Sequence, residues 1–295
     1  MSSLYTEQDK NIRQTYLLFT LFFTFVIGIG YFLSYYFNNQ FILWFAVLIS
    51  VIQSFISYWY SDKIALSFSR AIPIKKEDNP YLWNMVENLC ITAGLPMPKL
   101  YIIPEEQINA FATGRNSQNA AIAVTQGAIK KLENEELEGV LAHELAHIGN
   151  KDILVSTIAV VLVGIISIVS DFFFRMTFWQ SRRDNRNNNG ILMLIGLIFL
   201  ILAPLAATLI QLAISRKREF LADATGALIT RYPDGLANAL EKIKNDLTPM
   251  IKASDATAHL WISNPFKKEK SWIHKLFMTH PPIEERIAIL RGMRI

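Results

Sequence analysis

The sequence predicts a mainly α membrane protein that carries a smaller α+β domain, and three observations support this. The 295 residues are 52% hydrophobic and only 18% charged, whereas a typical soluble chain has about 25% charged residues. The deficit is local: Thr15 to Ser61 and Gly190 to Ser215 contain no Asp, Glu, Lys or Arg. Between and after these stretches, short strand-like runs and capped helical patterns return. The composition excludes both a purely soluble protein and a disordered one. A single cysteine excludes a disulfide scaffold and a cysteine-based metal site. In so apolar a chain the net charge of +4 is expected to face anionic lipid headgroups. The bilayer is therefore the expected partner, and nucleic acid is not.

Residues 1–60 read as an N-terminal tail and a transmembrane hairpin. Spans of about 16–37 and 41–59 match a hydrocarbon core of about 30 Å. Asn38-Asn39-Gln40 forms the polar turn between them, and Tyr35, Tyr36, Tyr58, Trp59 and Tyr60 sit near the segment ends, where amphipathic rings prefer the interface. A second apolar hairpin is expected over 153–214, with spans of about 153–170 and 191–214. Pro204 lies within the latter and is tolerable where neighbours satisfy the freed carbonyl. The competing expectation for this pair is two buried helices of a soluble core. Lys63, Arg70, Lys75 and Lys76 follow the second span, so the positive-inside rule places the N-terminus, 61–152 and 215–295 in the cytosol. Arg175, Arg182, Arg183 and Arg186 conflict with that topology, which puts their loop outside.

Within 61–152, Asp78-Asn79-Pro80 reads as a cap with proline in the first turn of a helix that runs to Gly94. Lys99–Ile103, Ile108–Thr113 and Ala120–Thr125 read as strands, with a turn at Gly114-Arg115-Asn116-Ser117. Ala120–Thr125 is expected to offer the sheet edge to which an extended peptide adds. Asn134 is expected to cap a helix that begins Glu135-Glu136.

That helix contains His143-Glu144-Leu145-Ala146-His147. Residues four apart differ in direction by roughly 40° on a helix, so both imidazoles aim at one point. Glu144 projects about 100° away, within reach of a water at the metal without ligating it. Leu137, Leu141 and Ile148 can anchor the helix, and Gly139 beside Val140 leaves room for close approach. A catalytic zinc takes three protein ligands. No histidine follows soon after His147, so the third ligand is expected to be a carboxylate. Glu219 and Asp223 stand four apart after the fourth apolar segment, with Ala222 and Gly226 small enough for tight packing. Glu219 is the expected ligand, and Asp223 would accept a hydrogen bond from a ligating imidazole.

Together with Ser215-Arg216-Lys217-Arg218-Glu219-Phe220-Leu221-Ala222-Asp223, Thr279-His280-Pro281-Pro282 and Asn109-Ala110-Phe111-Ala112-Thr113-Gly114-Arg115-Asn116, this motif closely resembles the HtpX family of bacterial heat-shock membrane metalloproteases. The wider family includes the CAAX prenyl endoprotease. The resemblance runs over most of the chain in order and spacing. It implies a zincin-like catalytic domain in a multi-pass inner-membrane protein, facing the cytosol and cleaving misfolded or damaged membrane proteins. It also implies one Zn2+ on His143, His147 and Glu219, with Glu144 as base. His280 and Arg286 would face the developing oxyanion, and Asn109 would lie where substrate backbone binds. Without the resemblance, His280 reads as a turn residue and Arg286 as part of an exposed helix start.

Three other readings bear on the same residues. A site-2-type intramembrane protease would embed the motif in an apolar span, but Glu133, Glu135, Glu136 and Glu138 precede it here. Tyr232-Pro233-Asp234-Gly235 more simply caps the next helix. A prenyl-protein processing protease shares the chemistry. A zinc carrier would need polar ligands within the spans, whereas Asp171 stands only at the end of one. Cys90 reads as a small buried hydrophobe, and His259 and His274 as members of an aromatic loop rather than ligands.

Overall fold

The computed structural model describes residues 4–36, 38–163, 216–251, 257–266 and 281–294. The second hairpin beyond residue 163, the arginines of its loop, His274 and His280 lie outside the described residues. Helix α1 (Leu4–Tyr36) and helix α2 (Phe41–Phe68) pack as an antiparallel pair. Both are long and apolar enough to cross a membrane by length and composition. Their turn is polar as expected, with Asn38 in the left-handed region (φ 48°) and the Asn39 side chain accepting the Phe41 N–H at 3.0 Å. Large side chains such as Trp44, Phe45, Leu48 and Phe55 point outward along α2, as lipid-facing residues do. The helix continues beyond the expected end at residue 59 because its last turns have a different task. Ala65 and Leu66 are buried beneath a β-sheet.

The sheet has four strands in the order β1-β2-β4-β3, namely β1 (Ile72–Ile74), β2 (Lys99–Ile103), β3 (Ala110–Gly114) and β4 (Ala120–Thr125). β2 and β4 run parallel, and the other two pairings are antiparallel. Ala120–Thr125 is therefore an interior strand, which corrects the expectation of an edge there; β1 and β3 are the edges. The reason is the link over 104–109, which carries the chain from β2 past one strand position to β3, so that β4 folds back as a hairpin into the gap between them. Every residue of β3 and β4 is buried, because the sheet is covered on both faces. With the period of two along a strand, Ala110, Ala112, Ile122 and Val124 enter the core shared with the helices. Phe111, Ala121 and Ala123 face Ala65, Val160 and Trp261 on the other side. The Phe111 and Trp261 rings meet edge to face, 4.8 Å apart.

Helix α3 (Pro80–Ala93) starts and stops where its sequence signals lie. The Asn79 side chain accepts the Leu82 N–H, Pro80 opens the helix and Gly94 takes the left-handed cap at φ 65°. Cys90, on this helix, is buried, and burial pushes its thiol up to about 11. Helix α4 (Gln126–Lys131) follows β4. Helix α5 (Asn134–Gly149) begins one residue earlier than expected. Glu133 takes the cap position with its backbone N–H on the Glu136 carboxylate, while the Asn134 side chain accepts the Tyr81 hydroxyl instead.

Helix α5 is nearly encased, with Leu137, Leu141, Leu145 and Ile148 fully buried. Three described helices surround the site with it: α6 (Asp152–Val163), α7 (Arg216–Thr230) and α8 (Pro233–Asn245). Tyr232 and Pro233 open α8 as a simple helix start. Gly139 faces this helix rather than the histidines: a Cβ there would stand 2.6 Å from the Leu236 nitrogen. Gly226 does the same for α7, where a Cβ would meet the His143 nitrogen at 3.0 Å. Two helical turns separate Gly226 from Glu219 on one face, so this close approach also brings Glu219 against the α5 histidines.

Candidate active site

The imidazoles of His143 and His147 turn their Nε2 atoms toward each other at 3.2 Å. Glu219 completes the group, with Oε2 3.8 Å from His143 Nε2 and Oε1 3.6 Å from His147 Nε2. One ligand atom from each of the three residues lies within 4.8 Å of the others. Two nitrogens each about 2.0–2.1 Å from a tetrahedral zinc are about 3.3 Å apart, so the imidazole pair already has the spacing that such an ion requires. Two nitrogens and a carboxylate oxygen are also a donor set that zinc accepts.

A carboxylate stands beside each outward nitrogen. His143 Nδ1 lies 3.0 Å from Asp223 Oδ1, and His147 Nδ1 lies 3.0 Å from Asp152 Oδ2. Each imidazole thus turns Nδ1 toward a carboxylate and Nε2 toward the shared point. Burial pulls the His143 pKa down, aided by the Arg286 charge, and Asp223 recovers only part of that. Burial pulls on His147 too, but the Asp152 hydrogen bond and the charges of Glu219 and Glu144 outweigh it and lift the ring to about 9. A cation entering this site therefore competes with the His147 proton.

Glu144 is 2% exposed. Burial raises its carboxyl to about 7, with Glu219 adding to the effect while His147, the Ala112 backbone hydrogen bond and Arg286 oppose it. A general base is most effective when its pKa lies near the working pH. The Ala112 contact also locates the sheet edge. Thr125 N–H bonds the Asn109 carbonyl, so in the antiparallel ladder residues 110, 112 and 114 turn their main-chain groups outward. The Ala110 carbonyl accepts Ile262 N–H at 3.1 Å, and Gly114 N–H donates to Thr157 Oγ1 at 3.2 Å. Only at Ala112, between them, does β3 face the reaction site. Asn109 precedes the strand and is fully buried, its side chain committed to Gln107 Oε1 and the Ser263 backbone.

Helix α9 (Ile283–Arg291) brings Arg286 into the site. The helix start at Glu284-Glu285-Arg286 is as expected, but Arg286 is not exposed: its side chain is fully buried. Two residues along the helix, about 200° around it, turn Arg286 inward while Glu284 stays in solvent on Lys244. Its guanidinium forks onto Asp223, Nε to Oδ2 at 2.8 Å and Nη2 to Oδ1 at 2.6 Å, and Nη1 lies 3.6 Å from Glu219 Oε2. Burial pushes the Asp223 carboxyl up, but the guanidinium and His143 prevail and hold it well below the usual carboxylate range. Arg286→Met leaves that carboxylate buried with no cation against it. Removing one partner of a buried pair costs about 3–5 kcal/mol, so thermal unfolding in detergent should show a large fall in the midpoint; an unchanged midpoint contradicts this account.

Asp152 is the site residue that sequence reasoning passed over; its only signal was a carboxylate at the head of an apolar segment. His259, by contrast, is a packed residue as expected, with Nε2 3.1 Å from the Ser156 carbonyl.

The family model for peptidase family M48 matches residues 76–294. A protein named Protease HtpX homolog from Thermoanaerobacter pseudethanolicus is 48% identical over 99% of this chain and 98% of its own length. One of the same name from Tropheryma whipplei is 44% identical over 98% of each chain. Among solved structures, the crystal structure of Ste24p from S. mikatae shares the fold, with a TM-score of 0.50 at 19% identity. That match covers 97% of this chain, which spans 66% of the length of Ste24p. By family match, near-complete relatives and membrane-capable helices, the chain belongs to peptidase family M48 and is a membrane-bound metallopeptidase.

Proposed function

We propose that the protein is a zinc endopeptidase, with His143, His147 and Glu219 holding the ion, Glu144 as general base and Asp223 orienting His143. The observation that carries this reading is the pair of Nε2 atoms 3.2 Å apart facing one buried carboxylate. When bound, zinc supplies Lewis acidity, bringing the pKa of water toward about 7 and polarising a peptide carbonyl. Glu144, buried and poised near 7, takes the proton of the attacking water and delivers it to the leaving amine. Arg286 keeps a positive charge beside the site where negative charge develops, though most of its hydrogen bonding is spent on Asp223. His280 would be a second donor, and loss of one such donor typically costs about 3–4 kcal/mol.

An extended substrate would lie along β3 at Ala112, with Asn109 shaping the start of that strand from within. Main-chain recognition has weak sequence preference, which suits removal of misfolded or damaged membrane proteins by a cytosol-facing enzyme of the inner membrane. In the test, the detergent-purified chain is incubated with casein, with an unfolded membrane protein and with a farnesylated CAAX peptide. Cleavage of the first two should stop with a chelator and return with zinc. Cleavage indifferent to chelation would sink the zinc mechanism, and a preference for the prenylated peptide would move the substrate assignment.

A further inference from the structure

Asp152 stands five residues beyond His147. On a continuous helix, that spacing would point the two side chains about 140° apart. They meet because the chain does not continue: α5 stops at Gly149, Lys151 adopts the left-handed region at φ 59°, and α6 sets off from Asp152 at 87° to α5. The bend carries the carboxylate back alongside the imidazole, where Oδ2 lies 3.0 Å from His147 Nδ1. The other oxygen faces Arg218, whose Nε is 3.9 Å from Oδ1. Arg218 immediately precedes Glu219 on α7, and its Nη1 reaches Gln14 Oε1 on α1 at 3.4 Å. Asp152 and Arg218 are both buried.

A buried ion pair is seldom more stabilising than packed apolar side chains of the same volume, so this pair calls for a role other than stability. Its contacts supply one. A carboxylate on Nδ1 keeps that nitrogen protonated and leaves the Nε2 lone pair toward the metal. Arg218 then ties the same carboxylate to the helix that carries Glu219 and to the first membrane helix.

We propose that Asp152 is a positioning residue that sets metal affinity by holding His147 in its ligating tautomer and orientation, with Arg218 bracing it. This rests on the reading of His143, His147 and Glu219 as the ligands. In the test, the full chain in detergent competes for zinc with a chromophoric chelator, and its Co2+ form gives a visible absorption spectrum. Asp152→Ala should raise the zinc Kd about 10–100-fold and shift the cobalt bands. Asp152→Asn, which keeps an acceptor but not the charge, should fall between it and the parent. Arg218→Gln should give a smaller rise. A folded Asp152→Ala protein with the parent Kd and spectrum overturns the proposal. If that variant does not fold, parent-like values for Asp152→Asn overturn it instead. A merely structural role would lower the unfolding midpoint and leave both readouts in place. The ligand reading is judged separately: the parent should bind one zinc and His147→Ala should lose it, and failure there removes the ligand set and this proposal together.

Discussion

Glu144→Gln should keep its zinc and lose hydrolysis by about 10²–10⁴-fold, the contribution of a well-placed general base. The substitution is nearly isosteric, and residue 144 lies outside the group of three that could hold a metal, so metal content should be unchanged by elemental analysis. The loss arises from protonation chemistry. The carboxylate is buried and its pKa stands at about 7, so it can accept a proton at working pH and return it. A glutamine amide can do neither. Casein cleavage at the parent rate by a zinc-loaded Glu144→Gln protein would remove Glu144 from the mechanism.

Glu219→Ala should have the opposite signature, losing the metal first and activity as a consequence. Glu219 is the one carboxylate in the cluster, with its two oxygens facing the two Nε2 atoms. Without it a zinc ion keeps two imidazoles, whereas catalytic sites use three protein ligands. The fall in affinity should exceed the about 10–100-fold typical of an outer carboxylate. Unchanged zinc content in the purified variant would place the third ligand elsewhere. The two variants are diagnostic together, because one separates metal from activity and the other does not.

The parts of this site that were legible in advance are those written into one helical turn. His143, Glu144 and His147 carry their geometry in their spacing, and Glu219 with Asp223 follows the same rule on α7. Asn79, Pro80 and Gly94 marked α3 because capping is local chemistry. The limits of β2 and β4 were legible for a similar reason, since short apolar stretches were separated by turn residues. Strand order was not: β4 lies inside the sheet because of a crossover that no local pattern encodes. β1 escaped notice because three residues around Pro73 carry no periodicity, and β3 begins at Ala110 because the Ile108 N–H goes to the Asp246 carboxylate and the Asn109 N–H to the Thr125 hydroxyl. Asp152 was missed as a site-facing residue, and Arg286 was placed at the site by the family resemblance and not by its local pattern, for one physical reason. The direction of each side chain is set by a long-range arrangement, an 87° bend in the first case and the docking of α9 in the second.

Cys90 has a practical consequence. The chain's single thiol is shielded within α3, where burial pushes its pKa up to about 11, so alkylating reagents find little thiolate to attack. A cysteine introduced at exposed Asn39 in the first hairpin turn, or at exposed Gln118 in the β3–β4 turn, would be the dominant reactive group. An impermeant maleimide applied to sealed vesicles could then report the compartment of each turn, with the native chain as its own blank.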